Sequence, residues 1–284
     1  MTDSPALSSG WLPAGPALLF CPADRPERYA KAAERADVVI LDLEDAVSPE
    51  NKAAARQALI DTPLDPQRVV VRVNAVDTDE HAADLEALAR TDYRVIMLAK
   101  AQDPAVVAAL DYSVVALIET PLGVVRCEEI AAVDNCVGLM WGAEDLVAGL
   151  GGKSSRFAAA EPGAGAYRDV PRFARARVRL AAGAFGRAAI DAVHVDIADV
   201  VGLDLEVRDA VALGFAGTAC IHPSQAQVVR DGYAPSPQEV AWARRLLAAA
   251  DEFGGGVFTF DGQMVDAPVF GQAVAVLRRI GEEV

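Results

Sequence analysis

The chain has 284 residues, 52% of them hydrophobic, which is material for one α/β barrel of about 250 residues with an extension, or for two smaller domains. Its 26 basic residues stand against 41 acidic ones, and the resulting formal charge of −15 repels phosphate backbones and anionic lipid, so nucleic acid and membrane surfaces are poor partners. The four cysteines (Cys21, Cys127, Cys136, Cys220) show no C-x-x-C spacing, and no apolar run approaches the roughly 18 residues that span a bilayer; a reducing, cytoplasmic setting is expected.

Residues 1–16 carry neither a basic n-region nor an apolar h-region and read as a loose arm. Strand-like runs then recur: ALLFCPA (17–23), VVILDLE (38–44), RVVVRVN (68–74), RVIMLAK (94–100), SVVALIE (113–119), VGLMWGA (137–143), AIDAVHVDI (189–197) and GTACIHP (217–223). Their near-continuous hydrophobicity is that of parallel strands covered on both faces. Between them lie helical stretches such as "PERYAKAAERA", which open on Pro, Ser or Asp. Eight βα units predict a closed (β/α)8 TIM barrel over 17–235, and the absence of G-x-G-x-x-G after the first strand argues against a dinucleotide fold. The connection "GLGGKSSRFAAAEPGAGAYRDV" (149–170) is the long one and reads as a lid; a Walker reading of Gly152-Lys153-Ser154 fails because Val147 stands where the first Gly is needed. Residues 236–284 form a C-terminal helical extension beyond the barrel's needs.

In such a barrel the site is built at the C-terminal ends of the strands, and here those ends are unusually polar: Asp24 and Arg25, Glu44 and Asp45, Arg72 and Asn74, Lys100, Glu119, Glu144 and Asp145, His222. Glu119 and Asp145 leave neighbouring strands about 4.8 Å apart and can converge. Two such carboxylates share a proton or a cation, and with His and Cys scarce all-oxygen ligation favours Mg²⁺, with Mn²⁺ as a substitute. The competing reading is a pair of unrelated helix caps. Arg72 can clamp a substrate carboxylate or steady an oxyanion, or it can serve as the partner of Glu44 or Asp45. Lys100 offers a Schiff base or electrostatic support, and Arg168, Arg172, Arg175 and Arg179 share a helical face that can hold nucleotide phosphates, salt-bridge to the acidic surface or make a subunit contact.

"VVILDLEDAV", "VVVRVN", "ALIETPLG", "MWGAEDL", "GAYRDVPRF", "AIDAVHVDI", "GFAGTACIHPSQ" and "GQMVDAP" occur in order between about Leu18 and Pro268. On these motifs the chain resembles the citrate lyase beta subunit-like branch of the HpcH/HpaI aldolase family, in its free-standing actinobacterial form. The resemblance implies a metal-dependent barrel, commonly a trimer, that makes or breaks carbon–carbon bonds beside an α-keto acid. It implies Glu119 and Asp145 as metal ligands, Arg72 as the substrate-contacting arginine, and Glu44 and Asp45 beside the metal, holding its waters. It also implies that Asp266, the acid of "MVD", handles the acetyl-CoA proton and reaches a neighbouring subunit's site. Ala99 before Lys100 and Pro121 in "IETPLG" depart from the commoner family forms.

The expected activity is Mg²⁺-dependent cleavage of a citramalyl-CoA- or malyl-CoA-like acyl-CoA to an α-keto acid and acetyl-CoA by a cytoplasmic homotrimer. The rivals are an aldolase releasing a free aldehyde, a beta subunit acting on an acyl-carrier thioester in a citrate lyase complex, and a catalytically silent barrel.

Overall fold

The structure is a computed structural model that describes residues 10–282. Eight parallel strands close into a barrel in the order of the chain: β1 (Ala17–Pro22), β2 (Val38–Asp42), β3 (Val69–Val73), β4 (Val95–Leu98), β5 (Ser113–Ile118), β6 (Cys136–Trp141), β7 (Ala188–Asp191) and β8 (Gly217–Cys220). Around them run α1 (Tyr29–Arg35), α2 (Lys52–Asp61), α3 (Glu80–Leu88), α4 (Pro104–Ala108), α5 (Pro121–Val125), α6 (Cys127–Ala131), α7 (Ala143–Gly149), α8 (Asp169–Ala184), α9 (Val200–Ala212) and α10 (Pro223–Tyr233). Each expected strand is present. The seventh is shorter than its apolar run: AIDAVHVDI stops pairing after Asp191, whose carboxylate is drawn to Trp141 and Arg175, and residues 192–197 become loop.

The barrel interior shows how side chains reach the mouth. Leu18, Ile40, Val70, Met97, Leu117 and Met140 pack there as one buried cluster. Successive inward positions on a strand are two residues apart, so the next inward residues after Ile40, Val70 and Leu117 are Asp42, Arg72 and Glu119. Asp42 and Arg72 are also direct partners in the β2–β3 register. At the other end of the barrel Trp11 packs against the core, so the described part of the expected arm is seated, while residues 1–9 lie outside the described residues.

By internal contacts the chain divides into two compact units at Arg230/Asp231, inside α10. The second unit holds α11 (Pro237–Phe253), the hairpin of β9 (Phe258–Phe260) and β10 (Gln263–Val265), and α12 (Ala267–Arg278). Ser236 and Glu239 form a capping box at the start of α11, and Leu246, Val265, Ala273 and Leu277 make a small core of their own.

Candidate active site

A pocket of about 310 Å³ opens at the C-terminal end of the strands, lined among others by Phe20, Asp42, Arg72, Glu119, Trp141 and Asp145. Asp42, the last residue of β2, is 1% exposed and anchors this corner. It accepts from Arg72 Nε (2.7 Å) and Nη2 (2.6 Å), and also from the backbone N–H of Glu44 (2.9 Å) and Ala46 (3.2 Å). One carboxylate thus orients the arginine and shapes the turn that carries Glu44. The expectation that Arg72 pairs with Glu44 or Asp45 holds for Glu44 alone: Glu44 Oε2 lies 2.9 Å from Arg72 Nη1, off the donor axis, an ionic contact without an aligned hydrogen bond. Arg72 also lies 4.8 Å from the Phe20 ring centre. Burial works against its charge, but the hydrogen bonds and charge of Asp42, with Glu44 and Glu119, outweigh it and raise its pKa.

Glu119 follows β5 directly and is buried. Burial, then the charges of Asp145 and Glu44, push its pKa up to about 8, against the pull of Arg72 and of the Lys100 backbone N–H, which donates to Oε1 at 3.0 Å. Gly142 makes room for it, since a Cβ there would lie 2.8 Å from both Cβ and Oε2 of Glu119. Asp145 sits in the first turn of α7, partly exposed. Its neighbour Glu144 accepts from the buried Ser155 hydroxyl at 2.5 Å.

The Lys100 ammonium pairs with Glu44, with Asp145 Oδ1 at 3.7 Å and Asp45 Oδ2 at 4.0 Å. Burial lowers its pKa, but the hydrogen bond and charge of Glu44, then Asp45 and Glu119, raise it further. A Schiff base needs a free amine, and this environment holds the ammonium form. Asp45 itself points to the rim, largely exposed.

Support for this mouth comes from residues without a sequence signal. Lys52 of α2 is buried and donates to Leu43 O (2.6 Å), Glu44 O (2.7 Å) and Asn74 Oδ1 (2.8 Å), pinning the loop after β2 from beneath. Trp141 donates its indole N–H to Asp191 (2.7 Å), which Arg175 holds from behind. Nothing distinguishes Lys52 from the other charged residues of an amphipathic helix until the barrel closes over it. Gly142 was visible in "GAEDL", but its partner Glu119 is not its neighbour in sequence.

The arginine face expected on the helix after residue 168 is largely neutralised. Arg168 pairs with Glu161 (2.7 Å), Arg172 with Asp169, and Arg175 with Asp191 (2.8 Å), while Arg179 donates to Leu213 O (2.7 Å). Three of the four thus take the salt-bridge reading, while Arg179 bonds a backbone carbonyl. His222 lies on the rim beside Arg28 and Lys31, lining a pocket of about 460 Å³ that shares Phe20, Pro22 and Ile221 with the mouth. Asp266, outside this unit, is the N-cap residue of α12 and makes no capping bond with its side chain.

A divalent cation fits this arrangement. Glu119 is a buried carboxylate whose charge nearby acids oppose, which is the condition a cation relieves. Among the described residues no group of three or more His, Cys, Asp or Glu is placed to hold a metal, so the ion would take Glu119 and Asp145 and fill its remaining positions with water and substrate. That is the usual habit of Mg²⁺.

The family model HpcH/HpaI aldolase/citrate lyase matches residues 17–223, through all eight barrel strands. The chain belongs to the HpcH/HpaI aldolase/citrate lyase family. It is a metal-dependent carbon–carbon lyase. Within this family it is 60% identical over 270 residues to a citrate lyase subunit beta-like protein of Mycobacterium tuberculosis, covering 95% of this chain and 97% of the relative. It is 32% identical to the mitochondrial citramalyl-CoA lyase of Homo sapiens (90% and 83% covered). The fold matches that of CitE from Mycobacterium tuberculosis in complex with magnesium, acetoacetate and coenzyme A, with a TM-score of 0.87 at 60% identity over 95% of this chain and 99% of that one. No helix among the described residues is long and apolar enough to cross a membrane.

Proposed function

We propose that this lyase cleaves a citramalyl-CoA- or malyl-CoA-like thioester to an α-keto acid and acetyl-CoA, using Mg²⁺, for which Mn²⁺ can substitute. The observation that carries this reading is the meeting of Glu119 and Asp145 with a charge-locked Arg72 in one pocket at the barrel mouth. Relatives point the same way: magnesium and coenzyme A occupy the mycobacterial structure, and the human relative is a citramalyl-CoA lyase. Glu119 and Asp145 would hold the cation, which acidifies a bound hydroxyl and polarises the forming ketone. Arg72 spends two of its five N–H donors on Asp42 and is held by the charge of Glu44, leaving donors for a substrate oxygen. Its fixed charge is thereby aimed where negative charge develops. Glu44 and Asp45 would hold water beside the site and take up the hydroxyl proton. As the carbon–carbon bond breaks, its electrons become a thioester enolate, and Asp266 supplies the proton that completes acetyl-CoA.

With Arg168, Arg172 and Arg175 paired to acids, the phosphates of the thioester go to the basic rim of Arg28, Lys31 and His222, whose pocket shares Phe20, Pro22 and Ile221 with the mouth. Charge reversal at Arg28 and Lys31 then raises KM for the thioester and spares kcat.

The test is release of acetyl-CoA and keto acid from citramalyl-CoA and malyl-CoA, with Mg²⁺ or with EDTA. Glu119→Ala and Asp145→Ala should fold but lose metal-dependent cleavage, and full activity of both in EDTA would sink the proposal. Release of a free aldehyde in place of acetyl-CoA would favour the aldolase, and activity confined to an acyl-carrier thioester would favour the citrate lyase subunit.

A further inference from the structure

Lys100 is one of two non-glycine residues among those described with a left-handed backbone, φ 51°. That conformation costs an ordinary side chain and persists only where its surroundings over-determine it. Here they do. The Lys100 N–H donates to Glu119 Oε1 at 3.0 Å, and the same residue's ammonium pairs with Glu44 while lying 3.7 Å from Asp145 and 4.0 Å from Asp45. One strained residue therefore touches both proposed metal ligands and both acids beside them. The mouth gathers Asp42, Glu44, Asp45, Glu119 and Asp145 around Arg72 and Lys100, with Glu144 also in its lining, and Arg72 is committed to Asp42 and Glu44. The Lys100 ammonium faces the remaining charge and is 34% exposed, open to solvent and to an arriving ion.

We propose that Lys100 is the resident counter-cation of the metal site: it holds the carboxylates together without a divalent ion, and its charge weakens ion binding so that the ion stays exchangeable. It is a positioning residue, not a catalytic one. A unit charge about 5 Å from a divalent ion is enough, even at the dielectric of water, to weaken binding roughly tenfold. The inference rests on Glu119 and Asp145 as the metal ligands.

The experiment is calorimetric titration of the full chain with Mg²⁺ alone, without thioester, for the wild type, Lys100→Met, Lys100→Gln, Lys100→Arg and Glu119→Gln. The Met and Gln variants should bind Mg²⁺ roughly tenfold tighter, with Lys100→Arg near the wild type. A purely structural lysine predicts the reverse, because Glu44 and the turn at residue 100 would relax; equal or weaker binding in the Met and Gln variants overturns the proposal. If those variants unfold without metal, refolding by Mg²⁺ supports the counter-cation, and failure to refold counts against it. Glu119→Gln should abolish binding. Wild-type affinity there would remove the metal assignment itself, a failure distinct from that of Lys100 and from a lack of thioester cleavage.

Discussion

Asp42 is the residue on which the mouth turns. The opening acids of "LDLED" look alike in sequence, but Asp42 is the one that faces inward in register with Arg72, while Asp45 ends on the rim. Asp42→Asn keeps the shape, removes the charge and frees Arg72. Breaking a buried ion pair by removing one partner costs about 3–5 kcal/mol, and the polar asparagine should keep the loss near the lower figure. Urea denaturation should show that drop, with kcat falling further than KM rises if Arg72 acts, as proposed, on charge that develops in the transition state. Glu119 makes a prediction about pH. Its folded pKa of about 8 lies above the ordinary 4.5, so between these values the metal-free folded state holds a proton that the unfolded chain has released. Stability from this group therefore falls as pH rises through that window. A cation reverses the balance, so added Mg²⁺ should raise Tm more at about pH 8 than at about pH 5 in thermal melts, and Glu119→Gln should remove the difference.

At the scale of elements, the strand ends and the long connection after β6 do different work. The strands place Asp42, Arg72 and Glu119 by simple alternation, and residues 149–170 are held over that end by side chains. Arg156 pairs with Glu206 of α9 and lies 3.7 Å from the Tyr167 ring centre, Tyr167 meets Trp141 edge-on, and Ser155 reaches Glu144. Arg156→Ala removes the centre of that latch. Limited proteolysis should then cut within 149–170 well before the barrel unfolds, and KM should rise while Tm moves little. Equal protease resistance in the variant would show that the other contacts suffice.

The whole molecule divides into a barrel that carries Arg72 and the proposed metal ligands Glu119 and Asp145, and a second unit that carries Asp266. Exposed Phe173, Leu180, Val201 and Leu205 on α8 and α9 give the barrel an apolar surface of the kind that subunits cover, and a homotrimer is proposed. Light scattering should return about three times the 29.8 kDa of one chain. Asp266→Ala should lose roughly 10²- to 10⁴-fold in turnover while binding Mg²⁺ normally. Mixing it with Glu119→Ala chains in one trimer restores partial activity only if Asp266 serves a neighbouring subunit's site.

The barrel was legible in the sequence because its signals are local: eight apolar runs, helical spacing between them, and Gly- and Pro-rich breaks. The polar strand ends followed for the same reason, since a side chain's face is set by counting along one strand. The sequence could show that Glu44, Asp45, Arg72, Lys100, Glu119 and Asp145 gather at one end. It could not rank them, because the differences arise between strands. Closure of the barrel decided that Asp42 rather than Asp45 locks Arg72, that Lys52 supports the loop from beneath, that Gly142 yields space to Glu119, and that three of the four stripe arginines are spent on acids. Each of these is a contact between residues far apart in the chain, and burial and charge become specific only when the fold brings them together.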